Sequence, residues 1–183
     1  MKQLNILTLF ALLFFGLTAM NTSYAQEVKF RGPDSSPLDM SYLKHKGEAP
    51  VARVIYSRPQ QKDREIFGNL VPYDQVWRTG ANEATEITFF KDVVIEGKKV
   101  KKGSYSLFTI PGKDKWTIIL SKELHVWGAY TYKEANDALR VEVKAETTES
   151  PVEYFSMTFA EKDETAYLVF AWENTMVKVP FTY

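Results

Sequence analysis

Alternation of apolar and polar positions recurs along most of the chain, and it has the period of a strand rather than a helix. The clearest run is 51–56, where Val51, Arg53 and Ile55 alternate with Ala52, Val54 and Tyr56. Further strands are predicted at 85–90 and 93–95. After a turn at 96–98, Val100 and a second turn at 102–103 lead to 104–110, and Pro111-Gly112 then folds the chain back into 116–120 as a hairpin. Strands at 139–145, 152–160, 165–172 and 176–183 complete the set. In 152–160, Phe155, Met157 and Phe159 face one way and Tyr154, Ser156 and Thr158 the other. Residues 165–172 are apolar on both faces, which predicts a central strand.

Two stretches break this rhythm. Residues 58–84 carry two prolines, Gly68 and Gly80, and no sustained period. They also carry Ile66, Phe67, Leu70, Val71, Tyr73, Val76 and Trp77, too much apolar surface for a disordered segment. This reads as an ordered loop pinned onto the sheets. Residues 121–138 form a second excursion, with room for one or two helical turns in YKEANDAL. Eight or nine short strands without βαβ alternation predict an all-β domain, an antiparallel β-sandwich or jelly-roll-like barrel with two long irregular loops and at most a short helix.

The N-terminus is organised differently. Lys2 precedes an apolar run from Ile6 to Met20, and small and polar residues follow to Ala25, with Ser23 and Ala25 fitting a signal peptidase. These are the parts of a secretory signal peptide, residues 1–25, and the apolar run is short for a spanning helix. The expected mature chain starts at Gln26 and is exported, periplasmic or secreted. A polar leader, 26–48, with one edge strand at 38–43, precedes a single β domain at 49–183.

Composition narrows the chemistry. Aromatics make up 14 % of the residues, with ten Tyr and twelve Phe, in keeping with β structure. The chain has 23 Lys and Arg against 23 Asp and Glu, which leaves no basic footprint for nucleic acid or anionic lipid. There is no cysteine, so disulfides, thiolate metal sites, cysteine nucleophiles and lipidated cysteines are all excluded. The two histidines, His45 and His125, stand 80 residues apart without metal-ligand spacing, so no metal site is expected. No GxSxG elbow and no glycine-rich phosphate loop occurs, and no cofactor or catalytic residue is assigned.

The densest polar cluster is Arg58, Arg64, Arg78, Thr79, Asn82, Glu83 and Glu86, in or just after the first loop. Guanidinium forks clamp carboxylates and phosphates, and Asn and Glu supply directional partners for hydroxyls. The competing reading is that these charges pair with one another to hold the loop down. Trp77 in the first loop and Trp127, Tyr130 and Tyr132 in the second offer rings that stack on ligands or simply anchor the loops. The expected site is therefore a shallow one between the two loops, with Arg58, Arg78, Asn82 and Glu83 as polar contacts. Trp77, Trp127 and Tyr130 form its apolar wall. It would recognise a small polar ligand or glycan. A hydrolase using Glu83 or Glu86 as acid or base is one alternative. An envelope scaffold or protein-interaction domain is another.

The segments YSRPQQKDREIFGNLVPYDQVWRTGANEATEITF, GKKVKKGSYSLFTIPGKDKWTIIL and HVWGAY resemble a secreted bacterial family, domain of unknown function 2911, over about residues 50–183. That resemblance implies no activity. It directs attention to Arg58, Trp77, Arg78, Gly80, Asn82, Glu83, Tyr105, Trp127 and Gly128, which occupy the motif positions. Asp74, where a glycine is expected after PY, is a small departure that bears on the local turn.

Overall fold

The computed structural model describes residues 28–183; the signal peptide expected at 1–25 and the expected cleavage after Ala25 lie outside them. Among the described residues nine strands form one antiparallel sheet: β1 (Leu38–Leu43), β2 (Ala52–Ser57), β3 (Thr85–Phe89), β4 (Val93–Ile95), β5 (Lys98–Val100), β6 (Gly103–Ile110), β7 (Lys115–Ser121), β8 (Asp137–Lys162) and β9 (Thr165–Thr182). Their spatial order is β1-β2-β3-β6-β7-β8-β9-β4-β5, with β1 and β5 at open edges. Among the described residues the sole helical turn is a 3-10 turn at Glu134–Asn136. The all-β reading holds, and no helix among the described residues is long and apolar enough to cross a membrane.

β8 makes this sheet a sandwich. Its first part pairs with β7 (Lys115↔Lys144 to Leu120↔Leu139), and its second part pairs with β9 (Ala145↔Val177 to Lys162↔Thr165). The strand thus leaves one layer and enters the other at Lys144–Ala145, and register shifts between Thr147 and Val152 and between Val152 and Ser156 follow within its pairing to β9. Sequence alone divides this stretch into two strands at the polar, Pro-containing ETTESP. The chain instead stays extended there, with Pro151 at the irregularity where a missing N–H breaks no ladder. Residues 165–172 and 176–183 are likewise one strand, β9, lying between β8 and β4, with Glu173 at positive φ (53°) where the register with β8 shifts.

The two layers meet through rings. Phe170 of β9 packs on Trp116 of β7 at 5.7 Å, Phe181 on Phe89 of β3 at 5.6 Å, and Phe155 of β8 on Tyr56 of β2 at 5.9 Å. The strand period of two on β2, β3, β7 and β9 puts Val54, Ile87, Ile118 and Phe170 inside this core. Burying each such side chain contributes about 1.5–3 kcal/mol. Tight turns keep the strands in register: at the β4–β5 turn Glu96 and Gly97 both take positive φ (47° and 74°), the twist that matches a two-residue hairpin.

The open side of the sandwich is laced rather than sealed. Just after β2, Phe155 N–H donates to Pro59 O at 2.9 Å and Gln61 N–H donates to Glu153 O at 2.7 Å. The Tyr56 phenol donates to Met157 O at 3.2 Å, and its burial raises its pKa. The first long loop leaves from this lacing.

Candidate functional site

The first loop, 58–84, is built inward. Ile66, Phe67, Val71 and Trp77 are 0 %, 6 %, 5 % and 8 % exposed and belong to the main core. Trp77 stacks on Trp172 (6.1 Å, 16° between planes) and meets Phe155 edge-on at 5.2 Å. Its backbone exchanges two hydrogen bonds with Thr109 of β6 (2.7 and 2.9 Å), and its indole N–H donates to Gly80 O at 3.1 Å. Large rings and backbone ladder bonds together fix this part of the loop, as an ordered apolar loop requires.

From Trp77 the chain makes a closed turn, Arg78 to Thr85, sealed by Thr85 N–H to Arg78 O at 3.1 Å. Within it Thr79, Gly80 and Asn82 have φ of 55°, 155° and 58°. A β-branched residue in the left-handed region is an outlier that costs on the order of 1–3 kcal/mol and persists only where its surroundings hold it. Here they do: Thr79 is fully buried, its hydroxyl lies 3.1 Å from that of Thr109, and its carbonyl accepts from the Thr85 hydroxyl at 2.6 Å. Gly80 is needed at its φ, and a Cβ there would lie 3.1 Å from Ser57 O.

This strained turn forms one side of a cleft of about 530 Å³. Trp77 and Trp172 contribute to its apolar surface, together with Val71 and the half-exposed Leu70. Lys62, Arg64 and Arg78 contribute its charge, and Ser35, Ser36 and Asn82 add hydroxyl and amide groups. Arg64 is turned back on its own loop, donating to Gln60 O and to Gln61 O. Asn82 Nδ2 donates to Asp34 Oδ1 at 3.1 Å, which leaves its carbonyl oxygen as an acceptor. The Ser36 N–H, then the Asn82 amide, hold the Asp34 carboxyl below the usual carboxylate range. Arg78 differs from its neighbours: its Nε is buried and has no hydrogen-bond partner among the described residues.

The other residues expected at a shared site sit elsewhere. Arg58 is consumed by structure, with Nη1 3.0 Å from Asp39 Oδ2, Nη2 donating to Ser156 Oγ at 2.9 Å and Nε to Phe155 O at 3.3 Å. It also lies over the Tyr154 ring. Glu83 pairs as an isolated bridge with Trp127, and Ala84 N–H and Gly128 N–H bond to Val126 O and Asn82 O, so the two loops touch along one edge. Trp127 and Tyr130 are 60 % and 82 % exposed and do not line the cleft. The Tyr130 ring covers Gly128, where a Cβ would come within 2.5 Å of it.

Glu83 and Glu86 border a smaller cavity of about 280 Å³ with His125, walled by Leu38, Ile55 and Ala84. Glu86 Oε1 accepts from the His125 backbone N–H at 3.0 Å, and His125 Nδ1 lies 2.9 Å from the same oxygen. Sequence reasoning passed over Lys62, Ser35, Ser36 and Trp172. Lys62 is adjacent to the cluster in sequence and was within reach of it; Trp172 carries no local signal, since it reads as one more core residue of its strand. Among the described residues no three of His, Asp and Glu converge as a metal site would require.

No curated protein and no solved structure matches this chain. The family model described as Protein of unknown function (DUF2911) matches residues 37–181, strands β1 to β9, and the chain belongs to that family.

Proposed function

We propose that this protein is an exported ligand-binding module whose small polar ligand occupies the cleft formed by the loop 58–84. One observation carries the reading: Arg78 presents a buried guanidinium nitrogen with no partner among the described residues, on a concave surface of metabolite size. An unsatisfied buried donor costs about 1–3 kcal/mol, so a fold keeps one where something else satisfies it. The strained Thr79 beside it is the kind of backbone that collects at binding sites. The volume lies within the roughly 300–1,000 Å³ of small-molecule pockets.

The test is a thermal-shift screen of the purified protein against sugars, organic acids, nucleotides, peptides and metal ions. A ligand at about 100 times its Kd adds about 2.7 kcal/mol, a rise of several degrees in Tm. The expected hit disappears in Arg78→Ala and in Asn82→Ala. A screen with no hit, or hits indifferent to both substitutions, overturns the reading.

A second reading, hydrolysis, is favoured by the Glu86–His125 pair. His125 Nδ1 stands 2.9 Å from Glu86 Oε1, and the two residues border a pocket with apolar walls, which brings a carboxylate and an imidazole together at one concavity. Turnover of simple esters or glycosides that vanishes in Glu86→Gln is its expected result; no turnover in the parent protein removes it.

A further inference from the structure

We infer that the ligand of this cleft is an organic anion: a carboxylate or phosphate group held by Arg78, carried on an apolar or ring-shaped body that lies against Leu70 and Trp77. The inference rests on the cleft being a ligand site at all, and it adds the class of ligand.

Charge selects the head group. Lys62, Arg64 and Arg78 all line the cleft, and no Asp or Glu lines it with them. None of the three forms an ion pair among the described residues. Two other half-buried arginines are neutralised: Arg58 has Asp39 at 3.0 Å, and Arg140 has Glu134 and Asp137 each at 3.3 Å. Arg53 also has an unpartnered Nε, but it lies on β2 between Tyr42 and Thr88 in register, away from the cleft. Three uncompensated cations around one concavity repel one another, and the partly buried guanidinium also loses hydration; an oxyanion relieves both. The flat guanidinium fork fits carboxylate and phosphate oxygens alike, while the lysine adds an undirected charge.

The remaining surface selects the body. Leu70 is 44 % exposed, large for an aliphatic side chain that also borders a cavity, and Trp77 lies deeper at 8 %. Covering Leu70 removes apolar area from water at about 25 cal/mol per Å². An inorganic ion would leave this surface and most of the 530 Å³ unused. Asn82 offers its free carbonyl to a donor on the ligand.

The test holds the body constant and changes the head. Calorimetric titrations of the purified protein with 2-naphthoate, 1-naphthyl phosphate, 2-naphthamide and 2-naphthylmethylamine, with inorganic phosphate as a fifth probe, separate the terms. The expected result is binding of naphthoate or naphthyl phosphate at least tenfold tighter than of the amide, no binding of the amine, and inorganic phosphate weaker than the aromatic anion. Whichever anion is tighter identifies the head group. Affinity falls several-fold from low to high salt, at least tenfold in Arg78→Met and by a smaller factor in Lys62→Gln. Arg78-dependent binding of the amide, the amine or a neutral sugar, with the anions inert, overturns the anion assignment while leaving the cleft a ligand site. Anion binding that ignores Arg78→Met also overturns the assignment. If no probe and no member of the wider screen binds, both inferences fall together.

Discussion

The two long loops each carry three aromatic side chains, Phe67, Tyr73 and Trp77 in the first and Trp127, Tyr130 and Tyr132 in the second, yet they are anchored on opposite sides of the same strands. The first sends Ile66, Phe67, Val71 and Trp77 between the layers into the main core. The second, 122–136, lies on the outer face of β6 and β7, where Val126, Ala129 and Tyr132 cover Phe108 and Ile119 in a small separate cluster. Anchoring depth decides what each can present. A side chain attached to the first loop is positioned by the rigid core, so Arg78 can be held partly buried and unpaired. Trp127 and Tyr130 of the second loop stand in solvent. Preorganised charge belongs to the first loop and exposed aromatic surface to the second.

Removing the anchors should break this contrast unequally. Trp77→Ala empties the centre of a ring cluster that joins Phe67, Trp116, Phe155 and Trp172, and a loss of about 3–5 kcal/mol in urea unfolding is expected, with loss of cleft binding. Gly80→Ala should cost about 1–3 kcal/mol by the same measurement, because its Cβ meets Ser57 O in a conformation alanine avoids. A cost near zero would show that the turn relaxes freely and that its strain does not position Arg78.

For the second loop the expected effect is smaller and depends on pH. Tyr132 packs on Phe108, donates to Asp137 at 2.8 Å and accepts from Arg140 at 2.7 Å. Burial first, and the Asp137 carboxylate second, push its pKa up to about 12 from 10.0. Since folding raises this pKa, its contribution is whole below pH 10 and is lost as the pH climbs toward 12. Tyr132→Phe should flatten part of the stability loss across that window in alkaline unfolding, at a cost near neutral pH of about 1 kcal/mol for the hydrogen bonds removed. The smallest effect is expected from Trp127→Ala with Tyr130→Ala: within about 0.5 kcal/mol of the parent, as for exposed positions generally. The ligand-induced Tm shift should survive in that double variant if the first loop binds alone.

These differences also explain what the sequence could and could not disclose. Alternation located β2, β3, β6 and β7 because one face of each meets the core and period two records it. It could not say that Phe108 and Ile119 are buried on the other face, because their cover comes from elsewhere in the chain: Val76 and Ala84 before them and Val126, Ala129 and Tyr132 after them. It divided β8 at ETTESP because a bulged stretch of a continuous strand and a turn use the same polar, Pro-containing residues. At the candidate site, Trp77, Arg78 and Asn82 were legible because they share one short segment. The role of Arg58 was not: its partners Asp39 and Ser156 lie on β1 and β8, and only the fold brings them within reach. A free arginine and a spent one look identical until their neighbours are known.

The most direct test of that last distinction is the melting temperature of Arg78→Met without any ligand. If Arg78 is held unpaired for a ligand, an isosteric apolar chain removes an unsatisfied buried donor at little loss of packing, and Tm should stay level or rise by a few degrees, at roughly 2–4 °C per kcal/mol for a chain of this size. A fall of about 5 °C or more would mean that the guanidinium supports the fold as Arg58 does, and would contradict the account.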